Sequence, residues 1–176
     1  MRRKLPNDGC LLVYLALIAA TQGVAADNSI GESKISAANT PAGTLSIYMN
    51  VLEQHNKNPE LAIYTPATRA MLKDWVMTAP QMDNLVYTYS LCNAEPARIS
   101  KTRRYAVIRY PTDERQCAPW FFEAVDGAWA LDLTMMQRAI RFGRGNAWHF
   151  ESAAEHPYDF AFEDWAFDTY GFPRDR

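Results

Sequence analysis

The chain has 176 residues, is 48% hydrophobic and carries a formal net charge of −2. That length accommodates one domain with a substantial core. The acidic balance sets aside nucleic acid and anionic membrane as primary partners.

Residues 1–26 read as a cleaved signal peptide. Arg2, Arg3 and Lys4 form a positive n-region, and LLVYLALIAA at 11–20 is an apolar h-region too short to span a bilayer. Val24-Ala25-Ala26 supplies the two positions a signal peptidase reads, so cleavage is expected after Ala26. Cys10 precedes the h-region, where a lipoprotein cysteine does not lie. The expected product is a periplasmic or secreted chain with no stable membrane anchor. Losing three basic residues and Asp8 takes its formal charge to −4.

Residues 27–43 are rich in Ser, Asn, Ala and Gly without helical apolar spacing, and are expected to form a flexible leader. A single α+β domain over residues 44–176 is expected to follow. Leu45, Tyr48, Met49 and Leu52 give the first helix, over residues 44–55, its apolar face, and NKNP stops it. Thr65-Pro66 is a start signal for a second helix, with Met71, Leu72, Trp75 and Val76 on its apolar face. Thr78 and Pro80 give a similar signal for a third, carrying Met82, Leu85, Val86 and Tyr89, although LVYTY also has strand propensity.

After Cys92 the pattern turns to strand. A short strand at 97–100 precedes YAVIRY at 105–110, PWFFEAV at 119–125 and AWALDL at 128–133. Asp126-Gly127 between the last two is a strong hairpin signal. Three helices and an antiparallel meander imply a helix layer on a sheet. A fourth helix is expected over Leu133, Met136, Gln137 and Ile140, ended by Gly143 or Gly145. HPYDFAFEDWAFDTYGF then mixes aromatics with acids and fits neither period.

Cys92 and Cys117 remain after cleavage and are expected to pair in an oxidising compartment. A closed loop of about 25 residues is worth about 3–4 kcal/mol in the chain-entropy model.

RAIRFGRGNAWHF, residues 138–150, is the strongest candidate for a contact surface. Arg138, Arg141 and Arg144 can hold carboxylate or phosphate bidentately, with Asn146, Trp148 and His149 beside them. The competing explanation is a helix C-terminus whose dipole favours cations. Ile140, Phe142 and Trp148 are expected to be buried. Arg98, Lys101, Arg103 and Arg104 form a second basic patch, while residues 151–176 hold seven acids against two arginines. The simplest account is an acidic, aromatic tail packed over a basic body. His149, Glu151, Glu155 and His156 match no zinc motif, so no metal or cofactor is expected.

The order of helices followed by a meander containing FFEAVDGAWALDL resembles the NTF2-like superfamily. There a penultimate strand, an Asp-Gly turn and a Trp-containing last strand are common. The resemblance spans residues 44–133 and implies a cavity between helices and a curved sheet, used by some members for catalysis and by many only for binding. The basic stretch and aromatic tail beyond it depart from that plan. The function expected first is a non-enzymatic binding or interaction module, an envelope inhibitor or scaffold subunit, taking an envelope protein or a small anionic ligand. The alternative is a small-molecule enzyme with an acid–base pair such as His55 with Asp74 or Glu123.

Overall fold

The computed structural model describes residues 34–151 and 156–176. The expected signal peptide, residues 1–26, and residues 27–33 of the expected leader lie outside the described residues.

The central sheet is an antiparallel meander in the order β1-β2-β3-β4, with β1 at Arg98–Ile99, β2 at Tyr105–Ile108, β3 at Trp120–Val125 and β4 at Ala128–Leu131. Asp126 and Gly127 both take positive φ, 49° and 82°, and connect Val125 to its partner Ala128. That is the two-residue turn expected of Asp-Gly, since its twist matches the flanking strands. β4 stops two residues short of expectation because Asp132 becomes a helix N-cap, its Oδ1 accepting from the Met135 amide at 3.1 Å.

Alternation along the strands buries both faces. Ala106, Ile108, Trp120, Phe122 and Leu131 point to one core, and Val107 and Phe121 to another. A strand hidden on both sides reads as a continuous apolar run, as PWFFEAV does.

The first face is covered by helices α1 (Pro41–Glu53), α2 (Pro66–Asp74) and α3 (Ala79–Ser90). Each has proline in its first turn after a threonine cap. Thr65 Oγ1 accepts from the Thr68 amide at 3.2 Å, and the Thr78 amide donates to Gln81 Oε1 at 2.8 Å. α3 is a helix despite the strand propensity of LVYTY. Tyr48 and Tyr89 pack on Trp120 with ring centroids 5.5 and 4.7 Å apart. The Cys92–Cys117 disulfide, Cα atoms 6.5 Å apart, ties the end of α3 to the approach to β3.

Two expectations on this side are corrected. The flexible leader fails over residues 34–43, because α1 begins at Pro41 with Thr40 capping Gly43 N at 3.1 Å. Before it, Ala37 N donates to Ala62 O at 3.3 Å, Ala38 O accepts from Trp129 N at 2.9 Å, and Ile35 packs on the core. Backbone hydrogen bonds hold a stretch that apolar spacing did not flag. The apolar face drawn for α2 is also too long, since the helix ends at Asp74 and leaves Trp75 and Val76 extended beyond it and exposed.

The second face is covered by α4 (Leu133–Ala139), the hairpin of β5 (Ile140–Phe142) and β6 (Trp148–Phe150), a 3-10 turn at Asp159–Phe162, and the hairpin of β7 (Trp165–Phe167) and β8 (Pro173–Asp175). Met135, Trp148, Tyr158, Phe162 and Trp165 pack there against Val107 and Phe121. The expected fourth helix is thus shorter than its apolar spacing suggested. Ile140 leaves it with extended φ and ψ because IRF pairs with WHF. Gly145, φ 70°, and Asn146, φ 57°, turn that hairpin instead of ending a helix. Ile140 and Trp148 are buried as expected, whereas Phe142 is 49% exposed.

A cleft between the arginine hairpin and the C-terminal tail

The tail reaches the second face through one buried arginine. Arg109, 2% exposed, donates from Nε to Glu95 at 2.7 Å, from Nη1 to the Ala161 carbonyl at 2.6 Å, and from both Nη atoms to Asp164 at 2.7 Å. Its guanidinium lies 4.3 Å from the ring centroid of Trp165. Arg98 adds a third hydrogen bond to Asp164, at 2.7 Å. The hydrogen bond from Arg109 chiefly holds the Asp164 carboxyl down, to about 2. The acidic tail over a basic body expected from charge is therefore present at Asp164. Elsewhere in the second basic patch, Arg104 pairs with Glu123 at 3.2 Å.

So fastened, the tail closes one side of a cleft of about 650 Å³. α4 and the β5–β6 hairpin form the other side. β5–β6 alternation sets Arg141 opposite His149 and Ile140 opposite Phe150. Gly171 makes the closest approach across it. Its oxygen accepts from Phe150 N at 3.0 Å, its φ is 82°, and a Cβ there would fall 2.1 Å from Phe150 O. Only glycine fits.

The polar groups of the cleft are unequally engaged. Arg141 donates to the Gln137 and Ile140 carbonyls at 2.8 and 2.9 Å and forms an ion pair with Glu151. Asp168 accepts from the Tyr170 and Phe172 amides at 2.9 and 3.0 Å and from Arg174 at 2.9 Å. The Arg174 bond first, and the Phe172 amide with it, hold its carboxyl below the ordinary range. His149 stacks on Phe172 with centroids 4.9 Å apart. His156 has a side chain nine-tenths buried, and its Nδ1 lies 3.2 Å from Asp159 Oδ1 without hydrogen-bond alignment. Burial lowers its pKa, Asp159 opposes the shift and nearby Arg138 adds to it. Arg138 is exposed, and its one hydrogen bond among the described residues goes to Met135 Sδ, a weak acceptor, at 3.3 Å. No carboxylate of the described residues forms an ion pair with it.

Of the six residues singled out from sequence, Arg138, Arg141 and His149 line the cleft. Trp148 lies beneath it in the core, and Arg144 and Asn146 sit exposed at the hairpin tip. The helix C-terminus offered as the competing explanation holds Arg138 in its last turn, whereas Arg141 is on β5. His156, Phe162, Phe167, Tyr170 and Gly171 also line it, and none of them belongs to the contact surface expected from sequence. Their one signal was the aromatic and acidic mixture of the tail. Among the described residues no three metal-ligating side chains converge, and Glu155 lies outside them.

The acid–base pairs considered from sequence do not assemble. His55 Nε2 bonds Asp83 Oδ1 at 2.7 Å at the surface, and Glu123 is held by Arg104. A pocket beside Tyr48, Leu72 and Trp75 holds only about 30 Å³. The disulfide is compatible with an oxidising, exported compartment. No described helix is long and apolar enough to cross a membrane.

Fold and cleft together define a class: an α+β protein with a sheet covered on both faces and an arginine-bearing cleft under its tail. No family model matches the chain, and neither a curated protein nor a solved structure matches it.

Proposed function

We propose that this protein is a periplasmic or secreted binding module whose contact surface is the hairpin–tail cleft, and that it acts by holding a ligand or envelope partner without chemical turnover. The observation that carries the reading is the state of Arg138. A guanidinium with five donors lines a concave site, and its one partner among the described residues is a thioether. Arginine in such a setting suits a bidentate acceptor brought by a partner. The n-region, h-region and cleavage site of residues 1–26 support export.

A tagged mature chain, wild type or Arg138→Ala/Arg141→Ala, is exposed to native envelope extract, with circular dichroism as the folding control. Wild type is expected to retain a saturable partner that the folded double variant retains at least tenfold less. Equal capture by the two would overturn the reading.

A further inference from the structure

We infer that the cleft receives a small monocarboxylate carried on an aromatic or aliphatic body, the carboxylate meeting Arg138 and the body lying against the tail's aromatics. This rests on the reading of the cleft as a binding surface and gives it a ligand class.

Size is the first argument. About 650 Å³ falls within the range of small-molecule sites, roughly 300–1,000 Å³. The second is the division of labour among polar groups. Arg141 is engaged by Glu151 and two carbonyls, and Asp168 by Arg174 and two amides. Asp159 accepts from the His156 amide at 3.1 Å and is mostly in water. Arg138 is left with unused donors, close to a histidine ring that is nine-tenths buried and has an unbonded Nδ1.

The third argument is charge. Arg141 with Glu151, and Arg174 with Asp168, cancel in pairs. Among the described lining residues, what remains is the Arg138 guanidinium and the Asp159 carboxylate, which is already hydrogen-bonded. Arg138 and Asp159 together carry no net charge, so no net field favours the more highly charged ligand, and a dianionic phosphate gives up more hydration than a monocarboxylate on entering an apolar-walled cleft. The fourth is the wall. Phe150, Phe162, Phe167 and Tyr170 line the same space, with Phe150 centroids 5.1 Å from Phe162 and 5.2 Å from Phe167. An apolar body excludes water there, and that strengthens the arginine–carboxylate contact.

The test uses 2-naphthoate, its uncharged amide and phenyl phosphate, titrated into the mature protein by calorimetry and amide NMR. Naphthoate is expected to bind saturably with Kd below about 1 mM, an affinity in keeping with its size. It should shift amides of residues lining the cleft, Gly171 and His149 among them. The amide and phenyl phosphate should each bind at least tenfold more weakly. Arg138→Gln should lose at least tenfold for naphthoate with Tm unchanged, and Arg138→Lys should recover part of it. Absence of saturable binding, equal binding of the amide, tighter binding of phenyl phosphate, or an unaffected Arg138→Gln would each overturn the inference. Failure with naphthoate beside Arg138-dependent capture of an envelope partner sinks the ligand class and leaves the binding reading standing. Failure of both sinks both.

Discussion

On the helix side of the sheet, Trp120 and Phe122 meet Tyr48, Leu52 and Tyr89 through side-chain packing, with one disulfide at the margin. On the tail side, Phe121 meets Tyr158 and Phe162, but the cover is fastened by Arg109, by Asp164 and by backbone contact at Gly171. Regular helices bury an apolar stripe and need no further fastening. A tail of three-residue strands and a 3-10 turn buries less per residue, and here polar bonds hold it in place. The cleft lies on that second side, where a local opening costs less than unfolding the whole chain.

The sharpest way to break this contrast is a pair of substitutions. Trp120→Ala should cost about 3–5 kcal/mol, because it empties a large buried volume shared by α1 and α3. It should lower the single denaturation midpoint of the whole chain. Arg109→Met should cost less, about 2–4 kcal/mol, since Glu95 and Asp164 can regain water when their partner is gone. Hydrogen exchange should then speed up in residues 156–176 and stay slow in α1–α3. Uniform acceleration in both regions would show that the two faces are one cooperative unit.

Acidification should sharpen the same contrast with a smaller effect. Asp164 is held at about 2, below its ordinary 3.8, so its contribution is complete above pH 4 and is lost as pH falls toward 2. Its side chain is 45% exposed, which reduces the effect to about 1 kcal/mol. His156 acts in the same sense at higher pH. Its folded pKa lies below 6.5, so the folded state binds its proton less readily than the unfolded chain and loses stability as pH drops below 6.5. Both groups belong to the tail side. Tryptophan fluorescence and exchange between pH 7 and pH 3 should therefore report loosening around Trp165 before any change at Trp120. The reverse order would refute the assignment.

The helix side was largely legible because its signals are local. Thr65-Pro66, Thr78 with Pro80, and Asp126-Gly127 each specify a start or a turn within a few residues, and the structure uses all three. Thr40-Pro41 carries the same start signal, but the residues before it lack apolar spacing. The tail side depends on partners far apart in the chain. Arg109 and Asp164 are 55 residues apart, and nothing within a window around either announces the other. IRF and WHF are too short to show period two, so the preceding helical spacing carried over them. Arg138, Arg141 and His149 were found by composition alone. The aromatic wall opposite them was hidden in a segment with no periodicity.

Arg109 joins two stretches of the chain that are synthesised far apart. Its guanidinium sits just beyond β2, while its bidentate acceptor is made 55 residues later. A chain nicked before Asp164 loses the bidentate partner of Arg109 and the Trp165 ring beside it, and so opens the edge of the second core at a buried cation. Such a product exposes apolar area that proteases and chaperones recognise. The cover of the second face thus depends on a pairing made across 55 residues.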